Sequence, residues 1–276
     1  MIDPAQLEAM LKTSIGAARQ AGDYALRHVS EARISIKSGT TGEELVTQID
    51  KRCQEIIIDI IHERYPDHGF IGEEGELGKI FKRPPADPDS VWWVIDPIDG
   101  TNNFARGLEI FAVSIGAMHQ GRPVAGVIYC PSMDALFTGI QNGAALLNGQ
   151  PIEASTDEIS HFTSVGLDGH QGETMPSWFV TLMKRSRFRN LGSAALHIAY
   201  VANGAMVATV IGLPKLWDIA AGAIIAERAG ARITNWQGED LWPMNLEDYQ
   251  GEKICCIVAN AKAHPEIVAL TRESTN

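Results

Sequence analysis

Apolar residues recur at helical spacing from Leu7 through Leu11, Ile15, Ala18, Gly22, Ala25 and Val29, which predicts a long helix with one face toward a core. Asp3 and Pro4, just before this pattern, read as a cap and a first-turn proline. A second helix is predicted over about 46–64, with Ile49, Cys53, Ile56, Ile57 and Ile60 turned inward. The period then changes. "PDHG" at 66–69 marks a turn, "FIGEEG" a short strand ending in acids, and "FKRPPADPDS" a polar, proline-rich loop. Strands follow at about 91–95, 111–118, 123–130 and 135–140.

The texture shifts again after "NGQPIEAST", which puts a boundary near residue 151. Beyond it the pattern predicts a strand at 163–168, helices at 176–185 and 193–204, and a strand at 205–211. A helix at 217–229, strands at 231–236 and 254–259, and a helix at 263–272 complete it. The expected fold class is α/β overall. An α+β unit spans 1–150 and carries most of the candidate ligands; an α/β unit spans 151–276 and adds Asp218 and a substrate wall.

Composition narrows the function. With 276 residues, 45% of them hydrophobic, the chain can bury a sizeable core. A net charge of −11 argues against nucleic acid as a partner but leaves room for an anionic substrate held through a metal. The longest weakly polar stretch, 194–213, is broken by His197, Asn203 and Gly204, so it reads as helix then strand and not as a membrane span. Cys53, Cys130, Cys255 and Cys256 form no C-x-x-C pair and read as buried reduced thiols. "MIDPAQLEAM" has no basic region followed by an apolar one, so no secretory leader is expected and the setting is read as cytoplasmic.

The chemistry concentrates in "WWVIDPIDGTNNF", residues 92–104. Its apolar run ends in Asp96 and Asp99, at the end of a strand where an ion and a substrate can meet buried carboxylates. Pro97 stiffens the turn, Gly100 permits close backbone approach, and Thr101 offers a hydroxyl beside amides that can face an anion. A lone D-P-x-D is more often a plain turn. Glu73 and Glu74 alone would be a solvated surface, Asp50 an acid at the positive end of a helix, and Asp218 in "KLWDIAAG" a first-turn acid. Together Glu73, Asp96, Asp99 and Asp218, with the Ile98 carbonyl, make a hard oxygen set suited to Mg²⁺. No histidine or thiolate set points to zinc.

"LVTQID" (45–50), "FIGEEG" (70–75), "WVIDPIDGTNNF" (93–104), "FAVSIGAM" (111–118), "GSAAL" (192–196) and "WDIAAGAIIAERAGA" (217–231) together resemble the inositol monophosphatase family. That family belongs to the Mg²⁺-dependent, lithium-sensitive phosphatases that include fructose-1,6-bisphosphatases. The resemblance runs end to end. It implies a layered αβαβα sandwich, a homodimer, and two or three Mg²⁺ ions. It makes Glu73, Asp96 and the Ile98 carbonyl ligands of a first ion, and Asp96, Asp99 and Asp218 ligands of a second; Glu73 also serves a third, weaker ion. Thr101 and Asp50 resemble the dyad that orients and deprotonates the attacking water, with Glu73 beside them. The Gly100 and Thr101 amides resemble the phosphate cradle; Asp99, Ser193, Ala194 and Asp218 complete the substrate contacts, and Lys37 matches a basic residue near the site.

The implied activity is metal-dependent hydrolysis of a small polyol or sugar phosphate, of the inositol 1-phosphate type. One departure bears on it: many relatives carry an acid seven residues before the Trp-linked aspartate, and here that position is Ile211. Histidinol phosphate and 3′-phosphoadenosine nucleotides are therefore alternatives, as is a non-catalytic binding role on the same fold. "KRSRFR" at 184–189 reads as a solvated face, with Arg185, Arg187, Arg189 and His170 as an alternative wall of the substrate mouth. Residues 37–45, with "KSGTTGEE" at 37–44, read as a loop able to close over the site. Ser114 and Ser193 lie in no G-x-S-x-G elbow, Asp96 and Asp99 lack the D-x-D spacing of the aspartyl-phosphate phosphatases, and no P-loop occurs.

Overall fold

The computed structural model of the protein describes residues 2–29, 34–36, 45–76, 79–167 and 175–273. Helix α1 (Pro4–His28) starts on Pro4 at its first position; Asp3 takes the cap position with extended backbone, but its side chain makes no capping bond. Helix α2 (Gln48–Arg64) begins two residues later than the periodicity suggests, because 45–47 form strand β2, paired antiparallel with β1 (Ile34–Ile36). On α2 the fully buried apolar stripe is Ile49, Cys53, Ile57 and Ile61, while Ile56 and Ile60 are half-buried at its flank.

The next strands are β3 (Gly69–Gly72), β4 (Phe81–Arg83), β5 (Trp92–Asp99), β6 (Ala112–His119), β7 (Arg122–Cys130), β8 (Ala135–Ile140), β9 (Leu146–Leu147) and β10 (Gln150–Pro151). They form one eight-stranded sheet in the order β10-β9-β8-β7-β6-β5-β3-β4, in which β3 and β5 run parallel and the other pairs antiparallel. The polar loop expected at 81–90 thus opens with a short edge strand. Between β5 and β6 lies a five-residue helix, α3 (Thr101–Ala105).

After residue 151 the chain builds a second sheet from β11 (Ser164–Leu167), β12 (Arg187–Arg189), β13 (Ala208–Ile211), β14 (Arg232–Thr234) and β15 (Cys256–Ala259), in the order β12-β11-β13-β15-β14. Helices α4 (Ser177–Arg185), α5 (Ala194–Ala202), α6 (Leu216–Arg228) and α7 (Ala263–Glu273) complete the fold.

Three apolar cores stack these elements into five layers. α1 and α2 cover one face of the large sheet, with Ile57, Trp93 and Val127 in the shared core. α5 and α6 fill the space between the sheets, where Trp92, Ile198, Ala221 and Val258 meet. α4 and α7 close the outer face of the small sheet over Val165, Phe179 and Ile267. The result is an αβαβα sandwich. Trp92 and Trp93 sit in cores on opposite faces of β5, as alternation along a strand buried on both sides requires.

The middle layer packs directly on the backbone of the large sheet at three glycines. Gly116, Gly126 and Gly139 pair in register across β6, β7 and β8. A side-chain carbon on Gly116 would stand 2.9 Å from Ala220 Cβ, and one on Gly139 would stand 3.0 Å from Ile225 Cα. The absence of side chains there makes a groove in which α6 seats its small residues. Gly222, on the helix itself, leaves room for Ile198 of α5. This seating matters because Asp218 lies in the first turn of α6.

Candidate active site

All eight residues of β5 are buried, the two aspartates included: Asp96 is 2% and Asp99 6% exposed. The strand runs four residues past its expected end at 95. Asp96 still pairs with Ser114 and Asp99 with Ala112, and the register shifts between them at Pro97. This bulge turns both carboxylates toward the start of α6. One ligand oxygen each from Asp96, Asp99 and Asp218 falls within 4.8 Å of the others, and the three can hold a metal ion. Among the described residues no other group of three His, Cys, Asp or Glu side chains comes together in this way.

Each carboxylate is fixed by a different device. Asp96 Oδ1 accepts the Ile98 amide at 3.0 Å, an Asx turn across Pro97. Asp99 faces the N-terminus of α5: the Ala194 amide donates to Oδ1 at 3.1 Å, the Ala195 amide to Oδ2 at 2.9 Å, and the Ser193 hydroxyl donates a short bond to Oδ2. Ser193 also caps α5 by accepting from the Leu196 amide at 3.2 Å. Asp218 Oδ2 accepts the Lys215 amide at 2.7 Å, which closes the first turn of α6.

The electrostatics follow from this placement. Burial raises the Asp96 pKa well above the usual carboxylate range, and the charges of Glu73, Asp99 and Asp218 raise it further. Burial, then Asp218, pushes Asp99 up to about 7, while its bonds from Ser193, Ala195 and Ala194 pull the other way. Carboxylates packed this closely and this deeply are stable as anions only beside a cation. Their hard oxygen donors fit a divalent ion such as magnesium.

Glu73, Thr101, Ser193 and Ala194 are tied to the end of β5 that carries this cluster. Glu73 follows β3, half-buried, and its amide reaches the Ile95 carbonyl at 3.3 Å, which sets it beside Asp96. Glu73 is outside the three-residue group but its charge acts on Asp96. Asp50 is buried in the first turn of α2. The Thr101 hydroxyl donates to the Ile98 carbonyl at 3.0 Å, leaving that oxygen a second lone pair. Gly100 has φ +98, and a side chain there would crowd Ile110 O at 3.1 Å and Gly192 O at 3.2 Å, so glycine is required. Ser193, Ala194 and Asp218 line a cleft of about 360 Å³ beside the cluster. Lys37, the 37–44 loop and His170 lie outside the described residues.

The arginines of 184–189 face solvent. Arg185 pairs with Glu266 at 2.5 Å, Arg187 Nε donates to the His161 carbonyl at 2.9 Å, and Arg189 donates to the Phe188 carbonyl at 2.9 Å. None of the three lines the cleft.

Three positioning residues escape a reading of the sequence. Gln54, one turn after Asp50, brackets the acidic turn: its Nε2 donates to the Glu74 carbonyl at 2.7 Å and its Oε1 accepts the Glu74 amide at 2.9 Å. Gly72 leaves space for that amide group, since a side-chain carbon there would lie 2.4 Å from Gln54 Oε1. Asn103 Nδ2 donates to both Ile110 O and Leu191 O at 2.7 Å, joining the end of β5 to the segment that carries Ser193. Ser114 donates to the Trp217 carbonyl at 3.0 Å and ties β6 to the turn holding Asp218.

Comparison with known proteins agrees with this geometry. A family model described as "Inositol monophosphatase family" matches residues 6–276. A Nus factor SuhB from Pasteurella multocida is 36% identical, over 84% of this chain and 87% of the relative. Inositol monophosphatase 1 from Solanum lycopersicum is 33% identical, over 85% of this chain and 87% of the relative. Among solved structures, an IMPase from Thermotoga maritima superposes with a TM-score of 0.82 at 31% identity, covering 96% of this chain and 97% of that one.

Proposed function

The chain belongs to the inositol monophosphatase family, and from that premise we propose that it is a magnesium-dependent phosphomonoesterase acting on a small phosphorylated alcohol. The observation that carries the reading is the burial of Asp96 and Asp99 against Asp218, with their ligand oxygens within 4.8 Å of one another.

In this reading Glu73, Asp96 and the Ile98 carbonyl would hold one ion, Asp96, Asp99 and Asp218 would hold a second, and Glu73 would contribute to a third. Magnesium bound there would lower the pKa of a water and neutralise charge on the phosphoryl group and the leaving oxygen. The chain's own groups do the rest. The Thr101 hydroxyl, resting on the Ile98 carbonyl, orients the attacking water, and Asp50 receives its proton, with Glu73 beside them. The Gly100 and Thr101 amides bind phosphate oxygens. Asp99, Ser193, Ala194 and Asp218 border the alcohol, and α5 directs its first amides at Asp99, so that carboxylate stays ordered during turnover. By family resemblance the protein acts as a cytoplasmic homodimer inhibited by lithium.

The name of the Pasteurella multocida relative, a Nus factor, supports a second reading, in which the same fold serves as a non-catalytic binding or regulatory protein. Retention of Asp50, Glu73, Asp96, Asp99, Thr101 and Asp218 favours the first. Phosphate release from inositol 1-phosphate, histidinol phosphate and adenosine 3′,5′-bisphosphate, with magnesium, with chelator and with added lithium, separates the two. Magnesium-dependent turnover that lithium suppresses supports the enzyme. No turnover on any ester, with tight binding to a macromolecule, supports the regulatory role.

A further inference from the structure

We propose that the cleft beside the acidic cluster takes the alcohol part of the substrate as an uncharged group with one apolar face, in preference to a polyol, a cation or a second phosphate. The proposal rests on the phosphatase reading above and narrows its substrate class.

The cleft has a volume of about 360 Å³, near the lower end of the roughly 300–1,000 Å³ typical of ligand sites, so it suits one or two rings. One wall is Ile211, Leu213 and Pro214, where β13 runs into the start of α6. Ile211 is 2% exposed and belongs to the middle core, so this wall is rigid. Leu213 is 43% exposed, one of the few large apolar side chains left open to solvent among the described residues, and it stands at the cleft beside the site. Hydroxyls pressed against these three side chains would lose water without gaining a partner; a hydrocarbon face would instead cover Leu213.

The rest of the described lining is neutral apart from Asp218. Asp218 is the one charged side chain among the described residues of the cleft, and it is committed to the cluster with Asp96 and Asp99. Among the described residues no lysine or arginine lines the wall to hold a second phosphate, and no carboxylate besides Asp218 lines it to hold an ammonium or imidazolium group. His197 Nε2 accepts the Leu191 amide at 2.9 Å, which places the ring proton on Nδ1 and keeps the imidazole neutral. Asn190 Oδ1 accepts the Gly192 amide at 3.0 Å, which leaves Asn190 its two amide donors and a single further lone pair. Among the described side chains of the cleft, Asn190 and Asn102 are the neutral amides left to hydrogen-bond the substrate.

Cyclohexyl phosphate and inositol 1-phosphate have the same ring and differ in the hydroxyls, so their ratio reads the wall directly. With the full chain and magnesium, kcat/KM should favour cyclohexyl phosphate by roughly tenfold, carried mainly by KM, as one apolar contact in a pocket discriminates. Histidinol phosphate and adenosine 3′,5′-bisphosphate should fall below both. Leu213→Asn, at an exposed position, should keep the thermal midpoint and bring the ratio to within about threefold. A preference for inositol 1-phosphate, or a ratio unmoved in an active Leu213→Asn variant, overturns the proposal while leaving the phosphatase reading intact. No turnover on any of the four esters overturns both.

Discussion

Gly126 on β7 lies so close to Ala221 on α6 that a side-chain carbon at Gly126 would stand 2.3 Å from the Ala221 carbonyl oxygen. Gly116 and Gly139 flank it in register, and together they form the seat of the helix that carries Asp218. Packing deep in the middle layer therefore sets a distance at the site: lifting α6 from the sheet lifts Asp218 away from Asp96 and Asp99.

Gly126→Ala should overpack this contact and destabilise the fold by about 1–3 kcal/mol. It should also weaken magnesium binding, although the residue touches no ligand. Gly16 on α1 is the control, since nothing lies within 4 Å of a side-chain carbon there. Gly16→Ala should stabilise by roughly 0.5–1 kcal/mol and leave the metal alone. Thermal melts and magnesium titration calorimetry on both variants would check this, and equal metal affinity in Gly126→Ala would break the link between seat and site.

Ser193 gives Asp99 its hydroxyl donor and caps α5 with the same oxygen. Ser193→Ala should lose about 1 kcal/mol of stability through the cap. It should also lower magnesium affinity by about 10–100-fold, the usual effect of removing a bond that orients a metal-binding side chain. Ser193→Thr, which keeps the hydroxyl, should recover most of both. Unchanged metal affinity in the alanine variant would show that the two α5 amides alone fix Asp99.

His197 gives a pH dependence of definite sign. Burial lowers its pKa from 6.5 to about 4. Between those values the unfolded chain holds the proton and the folded one does not, so its contribution is full above pH 6.5 and is lost as pH falls toward 4. The raised carboxylates of the cluster act in the opposite direction in metal-free protein, but they are common to wild type and to His197→Gln. From pH 7 to pH 5 the stability advantage of wild type over His197→Gln should therefore shrink by about 2 kcal/mol. Denaturant melts at the two pH values measure it, and a constant gap would mean that the ring titrates normally in the fold.

What the sequence shows of this site and what it hides divide along a physical line. Asp96 and Asp99 are legible because an apolar run must bury whatever ends it, and Asp218 because a run of small residues follows it. The long helices, and the strands from β5 to β8, are legible because periodicity accumulates over their length. Strands of two or three residues, such as β1, β9 and β12, carry too few positions to show a period. Ser114, Gln54 and Asn103 are invisible for another reason: their partners are backbone atoms far along the chain, 103 positions away for Ser114 and Trp217. Nothing in local sequence marks a side chain whose job is to hold a distant turn. The extension of β5 to Asp99 was also hidden, since Pro97 reads as a strand end and the sheet accommodates it with a bulge.

The central claim is that buried carboxylates at the end of β5 hold the ion on which hydrolysis depends. The most direct test is the rate of phosphate release as a function of magnesium for wild type and Asp96→Asn. The variant should fold at least as stably without metal, because it removes one of several mutually repelling buried acids. It should lose on the order of 10³-fold in kcat/KM, about 4 kcal/mol of transition-state stabilisation, with no recovery at high magnesium. Wild-type turnover in Asp96→Asn at the same magnesium concentration would contradict the account.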